Sequence, residues 1–356
     1  MSYKLLNISD ENAWNEQIKN LPPDQQDIYF TPEYYKVQLR KGEGDPFCFV
    51  YEEEGKLALY SFLKNSINKL DLLDLDGEYF DIQSAYGFHG VITNTYDPDF
   101  IKNFYKAFQE FSAEENIVAE FVRFHPLLNN AEFSKDHLEI LRQREVIKLN
   151  LNLGYDKIWD DMYSSVNRNM IRKAVKNGLS YKVLHGKTLS VQDFADLYER
   201  TMKEIDAKEY YYFGNSYFSD FKDLLEDNVH IIEVYHGDKL IQGIFLFIYG
   251  SFAHYHLSAR DSEFKSLASN NFALDVGIKV AIENNCDYFH FGGGNSDSVE
   301  DPLYKFKANF SKERAIFSIG KKVHNQEIYT KLIKGWEEKN PEKSKTIGNI
   351  LLKYRV

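Results

Sequence analysis

The residues best equipped for chemistry lie in the stretch Cys286 to Phe310, CDYFHFGGGNSDSVEDPLYKFKANF. Lys305 and Lys307 alternate there with the rings of Tyr304, Phe306 and Phe310. An ammonium group held beside ring faces suits a phosphate, a carboxylate or a developing oxyanion. Gly292, Gly293 and Gly294 precede them and end the short aromatic run Tyr288 to Phe291, which alternates as a half-buried strand does. Three glycines let the backbone turn with φ > 0 and let a ligand approach closely. The plainer alternative is a strand, a tight turn and an amphipathic helix, with Phe306 and Phe310 in the core and both lysines in water. The triplet is not a nucleotide fingerprint, because neither G-x-G-x-x-G nor G-K-S/T spacing occurs.

Other candidates are scattered. Tyr255 and His256 lie in AHYHLSA, on an expected strand. A strand histidine is often only a structural residue, but its ordinary pKa also suits it to proton transfer. Arg168 and Arg172, in NRNMIRKAVK, are four apart and so share a helix face on a run with four basic residues and no acid. Such a run is commonly a solvated face, and otherwise a contact for an anion or an RNA backbone. Arg123 and His125 straddle Phe124 and leave one face of an expected strand. Tyr86 sits in an aromatic, glycine-bounded stretch, Tyr79 to Gly90. No cluster has metal-ligand spacing, and no G-x-S-x-G elbow or Cys/His nucleophile pair is present.

The elements that position these groups follow from composition and periodicity. With 356 residues, 43% of them apolar and 15% aromatic, the chain has material for two folded domains. A net charge of −11 argues against general nucleic-acid binding while leaving room for a local basic groove. Two cysteines, Cys48 and Cys286, offer no disulfide framework and fit a reducing, cytoplasmic setting. No stretch approaches the roughly 20 apolar residues of a spanning helix, so membrane association would be peripheral.

Phe47 to Tyr51 and Lys56 to Leu63 flank a turn and predict a hairpin. Phe100, Ile101, Phe104, Phe108 and Phe111 predict a helix, followed by a strand from Val118 to Phe124. The spacing predicts one helical stretch over Asp156 to Gly178, a helix over Asp193 to Asp206, three strands in a meander between His230 and Ser258, a helix from Ser269 to Asn284, and the strand before the glycines lying parallel to the third of the meander. Both halves run from helices through a hairpin and an aromatic-glycine segment to a helix and a strand. Domains are expected at 1–150 and 151–324, with a helical tail at 325–356.

The strings YFDIQSAYGFHG, EFVRFHPLLNN, SSVNRNMIRKAVKNG, AHYHLSA, and FGGG followed by YKFKANF resemble, in their order and spacing, those of FemAB/FemX-like transferases of the GNAT superfamily (BioF2-like acetyltransferase domain). The resemblance implies a mixed α/β (α+β) fold of tandem GNAT-like domains, each a largely antiparallel mixed sheet flanked by helices. It implies an acyltransferase in which an amine or hydroxyl attacks an activated acyl group directly, with acyl-CoA or aminoacyl-tRNA as co-substrate, no tightly bound cofactor and no metal. The acceptor would be a nucleotide- or lipid-linked sugar or a peptidoglycan unit of the cell envelope, tRNA a possible partner, and DNA not one. Lys307 would meet the donor or the developing negative charge, with Lys305 behind it. Tyr255 and His256 would bind the acceptor or take its proton. Tyr86, Arg123 and His125 would hold the acceptor, Arg168 and Arg172 would touch phosphates, and Gly292, Gly293 and Gly294 would line the site. Asn270, at the start of a helix, would offer the helix N-terminus to the donor. The stretch SLASNN lacks the Q/R-x-x-G-x-G/A pattern of the usual pyrophosphate loop, and no helical coiled-coil insertion is visible. The non-enzymatic alternative is a carbohydrate- or nucleotide-binding or scaffold protein of envelope polysaccharide assembly.

Overall fold

The computed structural model describes residues 2–186, 189–348 and 350–356. They form two compact units. The first comprises Met1–Gln25, Tyr29–Gln143 and Phe317–Val356, and the second Gln26–Ile28 and Arg144–Ile316. Residues 317–356 thus group with the first unit, and a three-residue piece near the N-terminus groups with the second.

In the first unit, strands β1 (Ser2–Asn7), β2 (Asp45–Glu53), β3 (Lys56–Ser66) and β4 (Phe80–Gln83) are successive antiparallel neighbours. The short β5 (Val91–Thr93) also pairs with β3, and β6 (Ile117–Arg123) lies parallel to β4. The hairpin expected around residue 54 is present, turned by Glu54 and Gly55 at φ 52° and 78°. Strand β4 falls inside the stretch that, from its lack of periodicity, reads as a loop. Four residues are too few to show alternation, and Asp81 and Ile82 are both buried.

Helix Pro98–Glu114 starts where Asp97 accepts the N–H groups of Asp99 and Phe100 and Pro98 supplies a preset φ. Its Phe100, Phe104, Phe108 and Phe111 share one face and meet Phe49, Tyr51 and Phe62 of the sheet. Helix Gln326–Lys339 closes a second core in this unit through Ile328, Leu332 and Trp336.

The second unit is built on β7 (Glu139–Asn150, from Arg144 onward), β8 (Leu179–His185), β9 (Val229–His236), β10 (Lys239–Tyr249), β11 (Phe252–Arg260) and β12 (Tyr288–Gly292). Their order is β7-β12-β11-β10-β9-β8. All neighbours are antiparallel except β11 and β12, which are parallel as the sequence pattern predicts. Strand β8 was not apparent from the sequence, since its outward residues are mostly polar and its one fully buried residue is Leu179. One face of the sheet is covered by helices Ser165–Lys176 and Ser269–Glu283 and by Phe310 after helix Pro302–Ala308. The other is covered by helices Gln192–Glu204 and Asn215–Leu225, whose Phe194, Phe218 and Phe221 meet Phe245 and Phe247.

The single helix expected over residues 156–178 is interrupted. A π-turn, Ile158–Met162, ends at Tyr163, and Ser164 takes extended backbone and accepts the Asn167 N–H at 3.0 Å, starting a fresh helix. Apolar spacing runs on across the break, so periodicity alone does not reveal it.

Shortening Phe108 to Ala removes a ring that meets those of Phe49, Tyr60, Phe62, Phe104 and Phe111 on the first unit's sheet and helix. The variant is expected to lose about 3–5 kcal/mol of stability in denaturant unfolding.

Candidate active site

Strands β11 and β12 pair only over Phe252–His254 and Tyr288–His290. Beyond that point they separate for two reasons visible in the backbone. On β11, Phe245 of β10 faces Leu257 while Leu246 faces Tyr255, so His256 is the extra residue of a β-bulge. On β12, the register against β7 shifts after His290 and the strand ends at Gly292, whose φ is +75°.

Helix Pro302–Ala308 follows this end. Asp301 caps it, one carboxylate oxygen accepting the N–H groups of Leu303 and Tyr304 at 2.9 and 3.0 Å. The other accepts those of Asn295 and Ser296 at 3.1 and 3.2 Å, so one side chain ties the glycine loop to the helix start. These backbone donors hold the Asp301 carboxyl below its usual pKa. There is no room for larger residues in the loop. A Cβ on Gly294 would lie 2.5 Å from Asp301 Oδ1, and one on Gly293 would lie 2.9 Å from Arg144 Cδ.

Within the seven-residue helix, Lys305 and Lys307 are two positions apart and therefore emerge on opposite sides. Lys305 points to solvent and pairs with Glu300. Lys307 is 7% exposed, donates to the Gly293 carbonyl at 2.7 Å and has its Nζ 5.5 Å from the centre of the Tyr255 ring. The picture of both lysines in water thus holds for Lys305 alone. Burial pulls the Lys307 pKa down to about 7, with Asp301 opposing the shift and Arg144 adding to it. Arg144 donates to the Gly294 carbonyl at 2.8 Å, so two carbonyls of the glycine loop face cations.

Tyr255 and His256 sit beside this end of the sheet but differ in surroundings. Burial raises the Tyr255 hydroxyl to about 12. His256 packs against Phe247 at 4.3 Å between ring centres and against Phe221 at 5.6 Å. Burial, with His254 nearby, lowers its pKa to about 3. At neutral pH the tyrosine keeps its hydroxyl proton and the imidazole is neutral, whereas Lys307 titrates in that range.

The remaining candidates are distributed. Arg168 does not face outward. Its Nη1 donates to the carbonyls of Trp159, Asp160 and Tyr163, closing the π-turn. Arg172 is exposed and stands over the Trp159 ring at 5.3 Å. The Ser269–Glu283 helix starts from Ala268 in the left-handed region, and Asn270 presents a buried Oδ1 with no hydrogen-bond partner among the described residues. Tyr86, Arg123 and His125 belong to the first unit. Tyr34 donates to the Tyr86 carbonyl, Arg123 donates to the Ser84 carbonyl and lies over Phe121, and His125 Nδ1 accepts the Leu127 N–H.

Sequence reasoning missed a buried group in the second unit. Asp27, from the piece Gln26–Ile28, places a carboxylate oxygen 2.7 Å from His254 Nε2, and His254 Nδ1 lies 3.4 Å from His290 Nδ1 across the β11/β12 pair. All three are at most 2% exposed. The pairing of two strand histidines was within reach once β11 and β12 were taken as parallel neighbours. The aspartate, 227 residues distant in the chain, gave no signal. No helix among the described residues is long and apolar enough to cross a membrane, and both cysteines are buried thiols.

Residues 165–308 match the acetyltransferase (GNAT) domain family. No curated protein is similar in sequence. Among solved structures, the chain superposes on FemX with a TM-score of 0.70 at 13% identity, covering 93% of this chain and 99% of that one. It also resembles the C-terminal domain of a putative lysylphosphatidylglycerol synthetase from Agrobacterium fabrum, at TM-score 0.53 and 11% identity over 90% and 92% of the two chains. L-PGS from Bacillus licheniformis gives 0.51 and 11% over 81% and 88%. Residues 165–308 thus match a GNAT acetyltransferase domain within a chain whose fold is like that of FemX.

The Lys307 pKa has a stability consequence. An unfolded lysine keeps its proton up to about 10.5, the folded one only to about 7. Between these values the unfolded chain binds the extra proton, so stability should fall as pH drops from about 10.5 to 7 and then level off. Lys307→Met should flatten that slope and be more stable than the parent at pH 6 by a few kcal/mol, read from urea unfolding at several pH values.

Proposed function

We propose that the chain transfers an acyl or aminoacyl group from an activated donor, an acyl-CoA or an aminoacyl-tRNA, to an amine or hydroxyl of a cell-envelope precursor. The acceptor class is a nucleotide- or lipid-linked sugar or a peptidoglycan unit, handled in the cytoplasm. The sequence resemblance and the FemX-like fold support this reading. Transfer to a lipid headgroup is a neighbouring possibility named by the lysylphosphatidylglycerol synthetase structure.

The observation that carries the proposal is the buried Lys307 amine, fixed by the Gly293 carbonyl and Tyr255 where β11 and β12 part. Past His254 the β11 backbone has no ladder partner in β12, and in this proposal the donor's acyl arm lies along that edge. The acceptor's lone pair attacks the acyl carbon, a C–N or C–O bond forms, and negative charge grows on the carbonyl oxygen. The protonated Lys307 stabilises that charge. The intermediate then collapses, the bond to the donor's sulfur or ribose oxygen breaks, and the acceptor's proton leaves with the donor fragment or to water. No covalent enzyme intermediate is needed. In this scheme His256 shapes the bulge and the aromatic wall, since so weak a base does not take up a second proton near neutrality. Asn270 and the N–H groups beginning the Ser269–Glu283 helix receive the donor's phosphate. Tyr86, Arg123 and His125 are acceptor-binding residues in the same proposal.

Thermal shift with acetyl-CoA, longer acyl-CoAs and nucleotide-linked sugars, followed by a transfer assay on the ligands that stabilise the fold, tests it. Lys307→Ala is expected to lower turnover roughly 10²–10³-fold with its fold intact. Parent turnover is expected to fall as pH rises past about 7, where Lys307 gives up its charge. Undiminished turnover in Lys307→Ala, or a rate that keeps climbing through neutrality, would remove the lysine from this role.

A further inference from the structure

The Lys307 site makes no use of the basic run NRNMIRKAVK, and a second opening in the same unit does. A cleft of about 360 Å³ lies between the π-turn segment and helices Ser165–Lys176 and Ser269–Glu283. That volume is within the range of small-molecule sites. Tyr155, Trp159 and Phe272 form its aromatic wall, and Arg172 and Lys176 stand at its edge. It shares no residue with the group around Lys307.

Its floor is built. Asp275 is fully buried, accepts hydrogen bonds from Tyr155 and Tyr163 at 2.8 and 3.1 Å, and is paired with Lys279 at 2.8 Å. Lys279 in turn lies over the Tyr155 ring at 4.6 Å. The only carboxylate of the lining is therefore neutralised within the wall. Helix Ser165–Lys176 carries no acidic residue, and among the described residues no carboxylate pairs with Arg172 or Lys176. The cleft thus presents ring faces with two uncompensated cations beside them on a protein of net charge −11. Aromatic faces accept a planar base, and adjacent cations accept a phosphate.

From this juxtaposition we infer that the Trp159 cleft binds a nucleoside phosphate, the base against Trp159 and Tyr155 and the phosphate on Arg172 and Lys176. The group can come from a free nucleotide moiety, as in a CoA thioester or a nucleotide-linked sugar, or from an RNA end. The chemistry at the cleft is the same in each case.

Trp159 supplies the reporter. Of the three tryptophans, Trp14 and Trp336 are 0% and 2% exposed, so a ligand stacking in the cleft quenches Trp159 selectively. Titration of the full chain with AMP, UMP, CoA and a short single-stranded RNA is expected to give saturable quenching. Trp159→Phe should abolish the quench while equilibrium dialysis still detects binding. The double variant Arg172→Gln, Lys176→Gln should weaken binding about tenfold or more with an unchanged melting temperature. Tighter binding of RNA than of AMP, with a steep loss in salt, would support the inference and identify an RNA end as the source. Equal binding of AMP and CoA, with weaker binding of RNA, would support it for a free nucleotide. No quench and no dialysis signal for any of the four, or binding indifferent to the double variant, would overturn it. Lys307→Ala should leave this binding unchanged, which separates its failure from failure of the acyl-transfer reading.

Discussion

The constraint on which the second unit depends is that two parallel strands hydrogen-bond over only three residue pairs. A longer β11/β12 ladder would seal the sheet. The bulge at His256 and the left-handed Gly292 end it early. Asp301 receives four backbone N–H groups from the loop and the helix beyond it, and so fixes the direction in which Lys307 projects. The lysine's protonation near neutrality is a result of that projection. A helix rotated by a single residue would place an ammonium in water and leave its acidity ordinary.

Two cationic features of the unit are thereby set to different uses. Lys307 is almost wholly enclosed and bonded to a carbonyl. Arg172 and Lys176 are exposed on a helix without acids. Arg168, on the same helix, has a structural task in closing the π-turn that carries Trp159. Its neighbour four residues on is left to meet whatever enters the cleft. Sequence spacing put the two arginines on one face correctly, but position on a face does not say which guanidinium is occupied by nearby carbonyls.

Legibility followed the range of the interaction. The hairpin read from Phe47 to Tyr51 and Lys56 to Leu63, the phenylalanine face of helix Pro98–Glu114 and the meander β9 to β11 are local patterns and were readable, as was the parallel placement of β12. Lys307 could be singled out because glycines and aromatics surround it, but its separation from Lys305 in burial needed the helix phase. Strand β8 has too little apolar surface to announce itself, and the break at Ser164 hides under continuous periodicity. Asp27 was invisible because its partner His254 lies at the far end of the chain, and nothing in either local sequence refers to the other.

That last pair has a consequence for how the molecule is made. The second unit requires residues 26–28, and the first requires residues 317–356. During synthesis, then, the early helices and strands leave the ribosome long before the strand Glu313–Val323, which pairs antiparallel with β6, and the helix that completes their second core, while Asp27 waits for a histidine more than two hundred residues away. Domains commonly fold one after another as they emerge. Here a chain cut at the apparent midpoint would leave His254 buried without its carboxylate and Trp336 absent from the core it fills, so neither half carries all the residues of its own unit.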